Sequence, residues 1–440
     1  MHSNNLKIMV FALFVFLGTS AFCQTSPVEI NSYDVKVNLD LPNNQLQITA
    51  RLKLQKSDTV DRFEMLLNSD AKIKSIKSKI NDDWINLPHE FAGKDTLRLA
   101  IPSRLASRRE LTLDFEYIFP LGESKEEVMV FDRGLRWYPL IPDQIARFKL
   151  TADVPPEYVV FAAGDLIEKK TSPEYSQFIW KSKIPVFKLP LVIAQSDFYD
   201  KTVKKCGGKE IYFYSFSVDK EIKEKILSEA CSTLKFYNEF IGECPHHRLT
   251  LIETPEMEGT NIGTALLMIG TTFIDAFKQG QYENLQLSIA CQWMAGGVFF
   301  EFLGTGFWFL QLSFPHYLRL MYLEKVKGKD AFIKGLNKGL DAYKEFAGTD
   351  KDVPIIDVDY LNTKEKGRVI YGKGPYVFDQ VRRQIGDENW LKFIRDIYKD
   401  FKGRILTCDE FINYLSRYDR DGTCVSKLEK MLSRTGLSED

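Results

Sequence analysis

The 440-residue chain is long enough for two or three domains, each with an ample buried core. Apolar residues make up 44% of it and charged residues 27%, which excludes a disordered composition. Lys and Arg total 59 against 60 for Asp and Glu, which gives a formal charge of -1. The chain therefore has no excess of positive charge that would favour binding to nucleic acid or to an anionic membrane surface. We therefore expect no nucleic-acid partner.

The N-terminus has the pattern of a secretory signal. Lys7 precedes ten apolar residues, 8–17, and small residues follow before Gln24. Ten apolar residues are too few to span a bilayer. The pattern predicts a signal peptide over residues 1–23 and export to the periplasm or beyond. A lipid anchor on Cys23 is the alternative, and the bulky Phe22 before it disfavours that reading.

Residues 24–200 are predicted to form a β-domain. Apolar residues alternate with polar ones in four segments, as they do in strands with one buried face. The four alternating sets are Tyr33, Val35, Val37, Leu39 and Leu41; Leu46, Ile48, Ala50, Leu52 and Leu54; Leu111, Leu113, Phe115 and Tyr117; and Phe148, Leu150, Ala152 and Val154. We expect an antiparallel arrangement of these strands.

The period changes in residues 201–440, where helices are predicted to dominate. Ile222, Ile226, Ala230 and Leu234 recur at helical spacing after Asp219. Later, Trp390, Ile394, Ile397 and Phe401 form one stripe, and Thr407 with Glu410 has the spacing of a capping box. The expected architecture is therefore an α+β multidomain chain, with a β-domain followed by a mostly helical α+β domain.

Six cysteines remain after Cys23, at positions 206, 231, 244, 291, 408 and 424. An even number permits pairing in an exported protein. Cys408 with Cys424, or Cys231 with Cys244, would close short loops, although nothing in the sequence establishes either bridge.

Residues 287–318 carry Glu301 as the only fixed charge. Hydropathy alone would nominate this stretch as a membrane span, and a membrane-embedded protein is one open alternative. Four glycines and the central Glu301 favour buried helices with a broken connection instead.

The order of motifs along the chain resembles that of the M1 aminopeptidases, a gluzincin family. The matching pieces are Gln292-Trp293, Phe314-Pro315-His316-Tyr317, Trp137-Tyr138-Pro139 with Asp143, Pro156–Gly164, Leu189–Phe198, Glu253–Asn261 and Tyr371-Gly372-Lys373-Gly374. The resemblance covers nearly the whole mature chain. It implies an N-terminal β-domain followed by a thermolysin-like catalytic domain.

The same resemblance shows that the zinc chemistry of the family is missing. Aligned on Gln292-Trp293, the His-Glu-x-x-His positions become Leu287, Ser288 and Cys291. The third ligand falls on Leu310 without a gap, or on Leu312 when Phe314 is matched to the family's Asn-Glu-Gly-Phe. A hydrolytic zinc site needs about three N or O ligands and a carboxylate base. We therefore expect no zinc, although the family would imply it.

Four further residues take candidate roles from the resemblance. Tyr371 matches the tyrosine that stabilises an oxyanion, or its hydroxyl satisfies a buried acceptor. Glu258 matches the glutamate that binds a free amino group, or it is a solvated loop carboxylate. Met257 and Asn261 belong to the same substrate-binding segment.

The histidines are candidate metal ligands. His246 and His247 beside Cys244 are predicted to point to opposite faces of a strand, so they would not share an ion. His316 with Cys291 would be a makeshift metal or thiol-protease pair, for which Cys291 has no neighbour that would lower its pKa.

Together these patterns predict an exported, catalytically inactive pseudo-peptidase that binds a peptide or protein. The alternative from the enzyme class is an active zinc aminopeptidase with a non-standard metal site near Glu258, Glu301 and His316.

Overall fold

The computed structural model of the chain describes residues 27–122, 127–255, 257, 259–302, 304–359 and 363–437. The predicted signal peptide and Cys23 lie outside the described residues. The first half is rich in strands, which run in chain order as β1 Val28–Asp40, β2 Gln45–Lys56, β3 Arg62–Leu66, β4 Lys72–Ile80, β5 Asp83–Asn86, β6 His89–Phe91, β7 Thr96–Ala100, β8 Glu110–Pro120, β9 Val128–Phe131, β10 Arg147–Val154, β11 Tyr158–Ala162, β12 Asp165–Thr171, β13 Ser176–Lys181 and β14 Leu191–Gln195. One short helix, α1 Ser103–Ala106, interrupts them.

Eight of these strands form the main sheet, in the order β12-β13-β10-β1-β2-β8-β4-β5. The alternation that predicted its strands is confirmed, because Val35 lies opposite both Ala50 and Leu150 and all three are buried. The sheet is antiparallel with one exception: β1 and β10 are parallel neighbours. Period-two patterning sets which face is buried and says nothing of strand direction, so the sequence could not reveal this pair.

Two three-stranded sheets, β11-β14-β9 and β3-β7-β6, complete the first half. The turn that ends the Pro156–Gly164 motif requires glycine. Gly164 has a φ of +91°, and an added Cβ would lie 2.4 Å from the carbonyl oxygen of Lys181. The motif therefore fixes the crossing between β11 and β12.

The second half begins with a five-stranded sheet in the order β15-β16-β17-β19-β18. Its strands are β15 Asp200–Cys206, β16 Lys209–Ser215, β17 Arg248–Glu253, β18 Thr260–Gly263 and β19 Leu266–Ile269, and a small parallel pair follows, β20 Phe299–Phe300 and β21 Ile405–Leu406. The last strand of the first half ends at Gln195, and the first strand of the second half begins at Asp200. The domain boundary at residue 200 stays a prediction.

Helices dominate the rest of the second half. They are α2 Lys220–Phe240, α3 Thr271–Lys278, α4 Glu283–Ala290, α5 Phe314–Lys327, α6 Lys329–Lys344, α7 Thr363–Arg368, α8 Gly374–Ile385, α9 Asp387–Phe401, α10 Cys408–Leu415 and α11 Thr423–Ser433. Two π-helical segments, Phe309–Ser313 and Val369–Lys373, run directly into α5 and α8. Short 3₁₀ turns cover Leu41–Asn43, Arg133–Leu135, Ile355–Asp357 and Ser416–Tyr418. The expected β-then-helical α+β architecture is confirmed.

Side chains cap the starts of two helices, and the capping box predicted at Thr407 is confirmed. The Asp219 carboxylate accepts from the backbone N–H of Ile222 at the start of α2. Thr407 and Glu410 form a reciprocal capping box on α10. The predicted stripe of α9, with Trp390 among its members, is buried.

Neither suggested cysteine pair forms. Cys231 on α2 is bonded instead to Cys206, at the end of β15. Cys244, Cys291, Cys408 and Cys424 are free and buried. Helix α2 packs against the β15–β16 hairpin, which brings together two cysteines 25 residues apart; proximity in the sequence pointed to the wrong partners.

The apolar stretch 287–318 is not one helix. It contains the end of α4, strand β20 and the start of α5. In the parts of the chain that the structure describes, no helix is long and apolar enough to cross a membrane.

Candidate functional site

The Gln-Trp pair anchors α4 to the elements around it. The side-chain oxygen of Gln292 accepts from the backbone N–H of Ala265 at 2.7 Å, and its amide nitrogen donates to the Gly263 carbonyl at 3.2 Å. The indole N–H of Trp293 donates to the carbonyl of Gly242 at 2.7 Å, beyond the end of α2. Both side chains are buried and form at least one hydrogen bond each, so they hold α4 in a fixed orientation.

The predicted metal-ligand positions on α4 carry no working ligand. Leu287 is half-exposed and has no donor atom. Cys291, one turn later, is 4% exposed, and burial raises the pKa of its thiol to about 12, so the thiol stays protonated at neutral pH. Ser288 is buried, and its hydroxyl donates to the carbonyl of Asn284 at 2.8 Å. A hydroxyl held by its own helix cannot replace a general base.

The two alternatives for the third ligand lie on different sides of the Phe309–Ser313 segment. Leu310 is 1% exposed and belongs to the hydrophobic core. Leu312 is half-exposed and precedes His316, also half-exposed, by about one turn. Of the two positions, Leu312, obtained by matching Phe314, is therefore the one nearer to solvent.

Tyr371 lies in the second π-helical segment, which abuts the first. The Ser313 hydroxyl donates to the carbonyl of Ile370 at 2.6 Å. Gly374 is required at this contact, because an added Cβ would lie 2.1 Å from the Ser313 oxygen. Such π-helical segments leave carbonyls outside the regular helical ladder and occur often at functional sites.

Helix α5 contacts α4, and the two π-helical segments contact each other. We use the term recess for four partly buried side chains on these segments, those of Leu287, Leu312, His316 and Tyr371. The rings of His316 and Tyr371 meet edge to face at 5.4 Å between centroids. The Tyr371 hydroxyl makes no hydrogen bond to any described residue, so the alternative that it satisfies a buried acceptor finds no support. Burial and the Cys291 thiol raise the pKa of Tyr371 above its usual value, so the hydroxyl keeps its proton.

The residues around the recess do not fit a zinc ion. Zinc requires deprotonated Cys, neutral His or carboxylate ligands. Leu287 and Leu312 have no ligand atom, so Cys291 alone among these positions offers one, and a single thiolate cannot replace three ligands. Within the described residues no three His, Cys, Asp or Glu side chains are grouped closely enough to hold a metal.

The predicted substrate-binding segment is described only in part. Glu258 lies outside the described residues. Met257 is half-buried, and its carbonyl accepts from the backbone N–H of Thr271 at 2.9 Å. Asn261, on β18, accepts from the ammonium of Lys188 and donates weakly to Asp132 at 3.4 Å. Its side-chain amide is therefore already engaged with residues of the first half.

The remaining histidines behave as alternation predicts. His246 is 2% exposed, with its Nδ1 3.7 Å from a carboxylate oxygen of Asp165, whereas the neighbouring His247 is exposed. His316 contacts Tyr371 and Arg319, and no contact between His316 and Cys291 supports the makeshift pair.

Sequence reasoning missed Arg319 and Tyr237. Arg319 is 8% exposed, three residues after His316 on α5. Tyr237, on α2, is fully buried and lies within electrostatic range of both Arg319 and Cys291. The available signal was Arg319 itself, a charged residue three positions after His316 and among apolar residues. A match of motif positions one by one does not detect such a residue.

The fold is similar to that of solved M1 zinc metallopeptidases. One such enzyme from Deinococcus radiodurans, a point mutant bound to a Tyr-Ser-Ala substrate, superposes with a TM-score of 0.74 at 13% identity, over 94% of this chain and 95% of that chain. The M1 zinc metallopeptidase from Deinococcus radiodurans without the mutation gives 0.72 at 12% identity, with 94% and 95% covered. A two-domain M1 zinc metallopeptidase mutant bound to L-arginine gives 0.72 at 13% identity, with the same coverage. No protein-family profile and no curated protein matches the sequence.

This chain therefore has an M1 aminopeptidase-like fold, as the motif order predicted. Both halves take part in the similarity, since the match covers 94% of the chain.

Proposed function

We propose that the chain is an exported, non-hydrolytic protein with an M1 metallopeptidase-like fold that binds a peptide or protein segment in the recess. The observation that carries the proposal is the chemistry of the positions that would hold zinc. Two are leucines, one is a buried cysteine, and the hydroxyl at the position of the base is engaged by its own helix. One lost ligand can be compensated, but the simultaneous loss of three ligands and a base leaves no zinc-bound water and no group to deprotonate it.

A binding role is supported by the recess itself. Its four defining side chains are half-exposed although the helices around them are packed. The similar enzyme from Deinococcus radiodurans was solved with a Tyr-Ser-Ala substrate, so this fold accommodates short peptides. Export is supported by the Cys206–Cys231 disulfide, because disulfides persist mainly in oxidising compartments.

The zinc content of the purified chain, residues 24–440 without a metal-binding tag, tests the loss of catalysis. After dialysis against zinc and then buffer, we expect far less than one zinc per chain and no chelator-sensitive cleavage of aminoacyl reporters. About one zinc per chain together with chelator-sensitive cleavage would contradict the proposal and favour the alternative of a non-standard metal site.

Export is tested separately by expressing the full chain in a bacterial host and sequencing the N-terminus of the exported product. We expect the product to begin at Gln24. Retention in the cytoplasm with an intact N-terminus would contradict the export part and leave the binding part unaffected.

A further inference from the structure

Arg319 is a buried cation that has no counter-ion among the described residues. It is 8% exposed, and no carboxylate of a described residue lies within 4 Å of its guanidinium. Its Nε–H is buried and donates to nothing. The exposed Glu283 at the start of α4 has the largest attractive electrostatic effect on it, at longer range. Burying an unpaired charge costs free energy, so binding of an anion near Arg319 would be favourable.

The only hydrogen-bonding contact that Arg319 makes among described side chains is with His316. Its Nη2 lies 3.5 Å from the His316 Nε2, a long hydrogen bond. A guanidinium can only donate, so Nε2 must accept, which assigns the imidazole proton to Nδ1. Burial first, and Arg319 second, hold the pKa of His316 well below its usual value, so the ring is neutral. The Nδ1–H has no partner among the described residues.

Tyr371 adds a second free donor beside the first. Its ring contacts His316 at 5.4 Å, and its protonated hydroxyl has no partner among the described residues. Behind them, the buried hydroxyl of Tyr237 is also without a partner, and it lies within electrostatic range of Arg319. The recess thus presents donors and a positive charge, and none of its four defining residues is acidic.

We propose that the recess binds a carboxylate, whose oxygens accept from the Nδ1–H of His316 and the hydroxyl of Tyr371 while the charge of Arg319 stabilises it through His316. This inference rests on the proposed binding function and names the ligand chemistry. A cationic ligand would meet the Arg319 charge, and a neutral carbonyl would leave that charge uncompensated. The carboxylate has two sources in a peptide, the C-terminus and an Asp or Glu side chain.

Isothermal titration calorimetry with three peptides tests the proposal. The peptides are Ala-Ala-Ala with a free C-terminus, the same peptide amidated, and amidated Ala-Glu-Ala. We expect at least one carboxylate-bearing peptide to bind ten or more times more tightly than amidated Ala-Ala-Ala. Tighter binding of only the first identifies the C-terminus as the source, and tighter binding of only the third identifies a side chain. Equal binding of all three, or no binding of any, would overturn the inference.

Variants locate the site. Arg319→Met should abolish the preference for the carboxylate, Tyr371→Phe should reduce it several-fold, and Arg319→Lys should keep part of it because the charge remains. Lys325→Met removes a positive charge from the exposed side of the same helix and serves as the matched control. If Arg319 had only a structural role, Arg319→Met would weaken the acid and the amide equally. That result, or an effect of Lys325→Met as large as that of Arg319→Met, would contradict the proposal.

This experiment fails separately from the tests of the proposed function. Equal affinity for acid and amide refutes the carboxylate and leaves a non-hydrolytic peptide-binding protein. Zinc-dependent hydrolysis refutes the proposed function whatever the titrations show.

Discussion

Helix α4 and the turn after it have one side that packs against the fold and one that lines the recess, and the two sides differ in how their polar groups are bonded. On the packing side, Gln292 accepts one hydrogen bond and donates another, and the indole of Trp293 donates to Gly242. Around the recess, the hydroxyl of Tyr371 has no partner in the described chain, and the Nε–H of Arg319 is buried without one.

This difference separates the residues that stabilise the fold from the residues that line the recess. The fold is similar to that of zinc metallopeptidases over 94% of the chain at only 13% identity. The packing side of α4 supplies its own hydrogen bonds, so the recess could change its residues without unfolding the helix. If this holds, substitutions on the packing side should affect stability, and substitutions in the recess should affect binding.

The largest effect is expected for Trp293→Ala. The side chain is fully buried, and its removal leaves a large cavity and an unpaired carbonyl at Gly242. We expect the free energy of unfolding, measured by urea titration, to fall by about 3–5 kcal/mol.

Leu312→Ala is the matched control in the recess. Because Leu312 is half-exposed, its truncation should cost under about 1 kcal/mol. A larger loss for Leu312→Ala than for Trp293→Ala would show that the recess, and not the packing side, holds α4.

Charge placement at the two alternative ligand positions gives the next largest effect. Leu310→Glu would bury a carboxylate in the core without a partner, so we expect it to lower the free energy of unfolding by about 3 kcal/mol. Leu312→Glu should be nearly neutral for stability, and its carboxylate should weaken binding of the acidic peptides by occupying the recess. Equal destabilisation by the two substitutions would mean that Leu312 does not face the recess.

The sequence predicted the scaffold well for a physical reason. Alternation in the strands and the stripe of α9 reflect burial, which each segment records locally. The capping box at Thr407 is a local signal too, and it forms as predicted. The parallel neighbours β1 and β10 and the Cys206–Cys231 bond are set by contacts between distant segments, which no local pattern contains.

For the recess, the sequence predicted only which ligands are absent. The resemblance marked Leu287 and Cys291 as positions where ligands are absent, and the structure shows what surrounds them. Arg319 and Tyr237 come from different helices, and the Nε–H of Arg319 and the hydroxyl of Tyr237 are buried without a hydrogen-bond partner among the described residues. A missing partner is visible only when every neighbour is placed.

Arg319→Met tests the recess side of the difference between the packing residues and the recess residues. Removal of an unpaired buried cation, with most of the apolar stem preserved, should raise the free energy of unfolding by about 1 kcal/mol in a buffer free of carboxylates. Lys325→Met, exposed on the same helix, should leave it unchanged. Destabilisation by Arg319→Met would show that the guanidinium has a structural partner, which would refute its role as an anion-binding charge.

The smallest effect concerns Asp143, whose pKa is raised to about 6, chiefly by burial. Between about pH 4 and pH 6 the folded chain then binds more protons than the unfolded chain at this site, so the free energy of unfolding falls as the pH rises through that window. Asp143→Asn removes this loss and tolerates the backbone, since φ at this position is +63° and Asn adopts that conformation readily.

We expect Asp143→Asn to match the parent chain at pH 4 and to exceed its free energy of unfolding by about 1 kcal/mol at pH 7, after allowance for the partial exposure of the carboxyl. The exposed Asp70→Asn removes the same charge and should show no such change with pH. A constant difference between Asp143→Asn and the parent chain across this range would mean that Asp143 ionises as readily in the folded chain as in the unfolded chain. In that case the attraction of Arg133 for the carboxylate already offsets both its burial and the repulsion by Glu301.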